Sequence, residues 1–174
     1  MESRDSPRVA ASPDPRWLAD EMLGRLARYL RFLGYDTSYA QDLRDLEILR
    51  RAREEGRTLL TRDRQLAMRA KASVLLRSLD LEGQLRELRR AYPALRGEVR
   101  FLRCSLCNAL LASADRSSPV PPWGVPEPLW GSSEPVYVCP SCGQAYWEGS
   151  HTREIRATLE RVFRPGAGAR GTPP

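Results

Sequence analysis

The stretch Cys139-Pro140-Ser141-Cys142-Gly143 has an upstream counterpart in Cys104-Ser105-Leu106-Cys107, and the two pairs account for all four cysteines. A Cys-Pro-x-Cys-Gly run makes a tight turn whose backbone amides point at a thiolate, so it suits one half of a tetrahedral four-thiolate site. Two such knuckles describe a zinc ribbon, with Cys104, Cys107, Cys139 and Cys142 as ligands of a structural zinc. Disulfides would need an oxidising compartment, and a redox motif would need one pair at a helix start after a strand. Residues 1–16 are polar, with Pro13, Asp14 and Pro15 and no apolar signal-peptide core, so a cytoplasmic location is expected. The spacer from 108 to 138 is long for a ribbon. Its middle, from Ser117 to Pro135, is rich in proline, serine and glycine and reads as a loop inserted between the knuckles.

The ribbon divides the chain. A disordered arm is expected over 1–14, an α/β unit over 15–99, the ribbon with a closing helix over 100–163 and a disordered tail over 164–174. The 174 residues suffice for one medium core plus a small module. No apolar run approaches the roughly 20 residues of a membrane helix, so no membrane partner is expected. The net charge of +6 suits an anionic partner such as nucleic acid. Lys71 is the only lysine, so the excess of arginine looks like coding bias and weighs modestly.

Within 15–99, apolar runs and helical stripes alternate. Residues 16–19 form a short run ending in Asp20, and 22–33 carry Leu23, Leu26, Leu30 and Leu33 on one helical face before Gly34. Strands are expected at 35–39, 58–61 and 73–77, and helices at 45–55, 64–70 and 80–91. Such alternation with short connections predicts an α/β fold with a parallel, three-layer sheet.

In such sheets, ligands bind beyond the carboxyl ends of the strands. Asp20 and Asp63 fall at strand ends, and Asp45 opens a helix after a strand, a position that also suits a helix cap. Three converging aspartates make a hard-oxygen site for Mg²⁺ or Mn²⁺, able to activate water for phosphodiester cleavage. Each also has a plainer role, as a cap, a turn residue or a solvated charge. Glu21, Asp36 and Asp42 are nearby competitors.

The stretch Ala19-Asp20-Glu21-Met22-Leu23-Gly24-Arg25-Leu26-Ala27-Arg28-Tyr29-Leu30-Arg31-Phe32-Leu33-Gly34-Tyr35-Asp36-Thr37 resembles the opening of the Mut7-C ribonuclease domain. Asp45-Leu46-Glu47-Ile48, Leu59-Leu60-Thr61-Arg62-Asp63-Arg64 and Gln84-Leu85 resemble it too, as do Arg103-Cys104, Cys107-Asn108 and Tyr146-Trp147-Glu148-Gly149-Ser150-His151. The resemblance covers about residues 16–160. It implies a PIN-like nuclease fold followed by a zinc ribbon, and metal-dependent RNA cleavage with Asp20, Asp45 and Asp63 as ligands. PIN-like relatives often carry a further acid after the Thr-x-Asp motif. Here Arg64 and Gln65 stand there, which leaves one or two metals open.

Arg25, Arg28 and Arg31 recur every third residue beside Asp20, so Arg25 and Arg28, with Arg62, are candidate phosphate contacts. Thr61 is placed to hydrogen-bond a metal ligand. His151, the only histidine, precedes a final helix over 152–163 for which Ser150 is the expected cap. It is expected at the ribbon–nuclease packing or facing RNA. Trp123 and Trp130 lie in the inserted loop, while Trp17 and Trp147 suit core positions. The expected function is an endoribonuclease whose ribbon aids RNA binding. The alternative is a non-catalytic RNA- or ribosome-binding module retaining the fold. A protein partner is left open.

Overall fold

The computed structural model describes residues 14–164, so the expected arm and tail fall outside it apart from their inner ends. The chain runs β1 (Trp17–Asp20), a 3-10 turn (Glu21–Leu23), α1 (Gly24–Phe32), β2 (Thr37–Ala40), α2 (Asp45–Glu54), β3 (Thr58–Thr61), α3 (Arg64–Arg69), β4 (Ser73–Leu75) and α4 (Leu81–Ala91). It continues with β5 (Ala112–Ser113), α5 (Glu127–Trp130), β6 (Val136–Val138), β7 (Ala145–Trp147) and α6 (Ser150–Phe163).

The first four strands form one parallel sheet in the order β2-β1-β3-β4. Short apolar strands suit a sheet covered on both faces, and alternation along β1 shows how. Trp17 and Ala19 point with Leu60 into the layer of α1 and α4, while Leu18 and Leu59 point into that of α2 and α3. The expected three layers are therefore present. Helix α1 stops where Gly34 takes a φ of 87°, its amide closing on the Arg31 carbonyl at 2.9 Å.

Strands β5, β6 and β7 form a small antiparallel sheet beside the cysteines. One apolar cluster joins it to the parallel sheet: Leu26 and Leu30 of α1, Leu85 and Leu88 of α4, and Ile155 and Leu159 of α6 share it with Cys104, Cys139 and Tyr146. The break near residue 100 thus separates two sheets that share a core. Helix α6 lies along α4, where Arg161 pairs with Glu82 at 2.8 Å and Arg89 donates to the Val162 carbonyl at 3.0 Å.

Two local expectations need correction. Ser150 does not cap the last helix: it is the first helical residue, and extended Gly149 stands at the N-cap. The inserted stretch is also not loop throughout, since α5 lies within it and is packed. Val125, Leu129 and Trp130 pack on Val136 and Ala145, and the Arg116 guanidinium sits 4.6 Å from the Trp130 ring centroid.

Candidate functional site

The four cysteines form a candidate metal centre. Their sulfurs all lie within 4.8 Å of one another, the one such grouping of three or more His, Cys, Asp or Glu ligand atoms among the described residues. The Sγ separations are 3.5 Å for Cys104–Cys142, 3.4 Å for Cys107–Cys139 and 3.8 Å for Cys107–Cys142. Four sulfurs about 2.3 Å from one tetrahedral ion stand roughly 3.8 Å apart, so the donor set fits zinc. Burial pushes the Cys104 thiol up, but the Tyr146 hydroxyl and the amides of Cys107 and Leu106 more than offset this and hold it at about 7. The Cys142 thiol is lowered by the Gln144 amide, yet burial and the neighbouring sulfurs push it up to about 12. Four sulfurs this close share protons unless a cation replaces them. Tyr146 Oη lies 3.1 Å from Cys104 Sγ and accepts from the Ser105 amide at 3.0 Å, so a second layer of contacts orients the ligand.

The knuckle is bolted to the parallel sheet by two residues whose role the sequence did not disclose. Arg31 is buried. It donates to the Thr37 carbonyl at 2.8 Å and to the Ser105 and Leu106 carbonyls at 3.0 and 2.7 Å. It is therefore removed from the exposed arginine stripe, on which Arg25 and Arg28 remain. Asn108, with φ at 69°, donates to Asp36 Oδ1 at 2.8 Å and accepts from the Thr37 amide at 3.0 Å. Asp36 also pairs with Arg57 at 2.8 Å and Arg16 at 3.1 Å. Burial alone would raise the Asp36 carboxyl, but Arg57, Asn108 and Arg103 hold it well below the usual carboxylate range. Asp36 thus serves the fold.

The carboxyl edge of the parallel sheet carries the acids. With the order β2-β1-β3-β4, the chain leaves β1 toward one side and occupies the other with β3, which makes the β1/β3 edge the topological switch point. Asp20 ends β1 there and Thr61 ends β3. The Thr61 hydroxyl donates to Asp20 Oδ2 at 2.6 Å and accepts from the Asp63 amide at 3.0 Å. Asp20 Oδ1 accepts from the Glu21 amide at 2.7 Å. Asp63 caps α3, its Oδ1 accepting from Gln65 and Leu66 at 2.7 and 3.0 Å, while its Oδ2 has no hydrogen-bond partner among the described residues. The donors are carboxylate oxygens, the ligand type of a hard divalent ion, held by amides and a hydroxyl, but Asp20, Asp45 and Asp63 do not come together as one group of ligand atoms.

Asp45 sits in the first turn of α2, with Arg44 at the cap, and its Oδ2 meets Arg69 at 3.3 Å. Both side chains of that pair are about half exposed, so the interaction is weak and exchangeable. Glu21 and Asp42 adjoin Asp20 around Tyr39. Burial pushes the Tyr39 phenol up, and the carboxylates of Glu21, Asp42 and Asp20 add to this. Its hydroxyl donates to the Glu21 carbonyl at 2.7 Å. Gly24 leaves room for that ring, since a Cβ there would stand 3.1 Å from Tyr39 Oη. Alternation along a strand gives no sign of this phenol.

Arg25 and Arg28 are exposed and make no ion pair or side-chain hydrogen bond among the described residues. Arg62 is partly buried, with its Nε unpartnered. His151 is exposed at the start of α6 and meets Phe32 of α1 edge-on, ring centroids 6.2 Å apart, so it lies where the ribbon packs on α1. Trp17 is fully buried and Trp123 is 89% exposed. No described helix is long and apolar enough to cross a membrane.

Comparison with known proteins gives one finding. No curated protein and no solved structure matches the chain significantly. The family profile described as the Mut7-C RNAse domain matches residues 15–159, which span both sheets, the four cysteines and most of α6. The chain belongs to the Mut7-C RNAse domain family.

Proposed function

We propose that this protein is a metal-dependent endoribonuclease that hydrolyses RNA phosphodiester bonds at the carboxyl edge of its parallel sheet, with the zinc ribbon aiding RNA binding. The observation that carries this reading is the Asp20–Thr61–Asp63 chain of hydrogen bonds at the switch point, in a member of an RNAse family. Asp20, Asp63 and, once released from Arg69, Asp45 would hold Mg²⁺ or Mn²⁺. That ion supplies a water of lowered pKa and charge for the leaving oxygen.

The protein's own side chains do the rest. Thr61 fixes one Asp20 oxygen, and the Glu21 amide fixes the other. Capping α3 keeps Asp63 from rotating. Arg25, Arg28 and Arg62 hold the RNA backbone against this edge through charge-assisted hydrogen bonds to phosphate. End analysis tests the chemistry: attack by water leaves 5′-phosphate and 3′-hydroxyl ends. Products with 2′,3′-cyclic phosphates would mean attack by the ribose hydroxyl and would exclude this mechanism.

A second reading, a non-catalytic RNA- or ribosome-binding module, is favoured by the pairing of Asp45 with Arg69, which leaves the three aspartates ungathered. RNA bound but left intact under every metal condition would select it.

A further inference from the structure

A cavity of about 220 Å³ opens where α1, the first cysteine knuckle, β7 and the start of α6 meet. Phe32, Leu106, Trp147, Arg28, Ser150 and His151 are among the residues that line it. The volume falls below the roughly 300–1,000 Å³ of sites for larger ligands, so a single flat ring system suits it.

Ser105, Gln144, Tyr146 and Thr152 at this cavity are hydrogen-bonded within the protein, but four other polar groups are not. Arg28, Ser150, His151 and the Trp147 indole N–H make no side-chain hydrogen bond or ion pair among the described residues. By contrast Arg31, one turn from Arg28, is fully engaged with three carbonyls. Gly149 leaves room for the Trp147 ring, since an added Cβ would stand 3.0 Å from its Nε1. The amides opening α6 have no side-chain cap and add donors there. Aromatic walls, one guanidinium and a set of unspent donors are the chemistry that receives an unstacked base with its phosphate.

Helix α1 connects the cavity to the acids. Arg28 follows Arg25 by one turn of α1, and α1 begins beside Asp20. The rise of the intervening turns puts the cavity about 15 Å from the Asp20 carboxylate. We propose that this cavity is a subsite for one unpaired nucleotide of the RNA, its base against Trp147, Phe32 and His151 and its phosphate on Arg28, a few nucleotides from the bond at Asp20. The assignment rests on the ribonuclease reading and makes single-stranded RNA the substrate class. A duplex keeps its bases stacked and cannot fill the cavity.

Binding is measured on the full chain carrying Asp20→Asn, so that cleavage does not enter. The probes are a short fluorescein-labelled single-stranded RNA and the same strand annealed to its complement. Adding His151→Ala or Trp147→Leu should weaken single-strand binding about tenfold, with duplex binding changed far less. Adding Arg28→Ala should weaken single-strand binding and lower its salt slope by about one. Zinc content and circular dichroism check that each variant is folded, and exposed His151 supplies the decisive variant should Trp147→Leu fail that check. Unchanged single-strand affinity in folded His151→Ala, or equal losses for both probes, overturns the subsite while leaving the nuclease reading standing. Absence of binding to either probe overturns both.

Discussion

The hydroxyl of Thr61 donates to Asp20 Oδ2 at 2.6 Å and accepts from the Asp63 amide at 3.0 Å. One buried side chain thus ties the ends of two neighbouring strands and sets the spacing of two acids. Thr61→Val keeps the shape and removes the hydroxyl, so a buried carboxylate oxygen and an amide both lose their partner. The expected cost is about 1–3 kcal/mol of stability by urea unfolding, together with loss of cleavage. Thr61→Ser should restore much of both. A valine variant as active as the parent would show that the bridge does not position Asp20.

Asp36 gives a pH signature. Its carboxyl is held below the ordinary value in the folded protein, chiefly by the hydrogen bonds of Arg57 and Asn108 working against burial. A depressed folded pKa stabilises above the unfolded value, near 4, and that stability is lost as pH falls below it. The urea midpoint should therefore drop steeply below about pH 4. In Asp36→Asn the drop should be shallower, from a lower plateau at neutral pH. Parallel pH profiles for the two proteins would remove Asp36 from the account.

Arg31 and Arg28 sit one turn apart on α1 and should fail differently. Arg31→Met strands three carbonyls in the interior, so it should cost about 2–4 kcal/mol, read as a lowered urea midpoint. Arg28→Ala should leave stability within about 0.5 kcal/mol and weaken RNA binding. The reverse pattern would exchange their roles.

Zinc should number one per chain and should support more than the ribbon. Cys104 and Cys139 share a cluster with Leu26 and Leu30, so removing the metal should raise amide hydrogen exchange in α1 as well as around β6 and β7. Protection of α1 unchanged in Cys139→Ser would mean that the parallel sheet stands without the ribbon.

Much of this was legible in the sequence because the signals are local. Leu59 and Leu60 between threonines give β3 its bounds, with Asp63 just past its end, and the cysteine spacing announces the knuckles. What stayed hidden depends on residues far apart in the chain. Arg31 looked like one more surface arginine because Ser105 and Leu106, which bury it, lie more than seventy positions away. Asp45 reads as a helix-start acid that could join Asp20 and Asp63, since nothing in its neighbourhood foretells the approach of Arg69 from α3. Tyr39 sits among acids that adjoin it only after β1 and β2 pair.

Cleavage of a single-stranded RNA by the full chain, titrated with Mn²⁺ and compared with Asp20→Asn, tests the central claim most directly. The account predicts metal-dependent cleavage by the parent and none by Asp20→Asn, with RNA binding largely kept. Equal cleavage by the two proteins, or RNA left intact by the parent at every metal concentration, would contradict it.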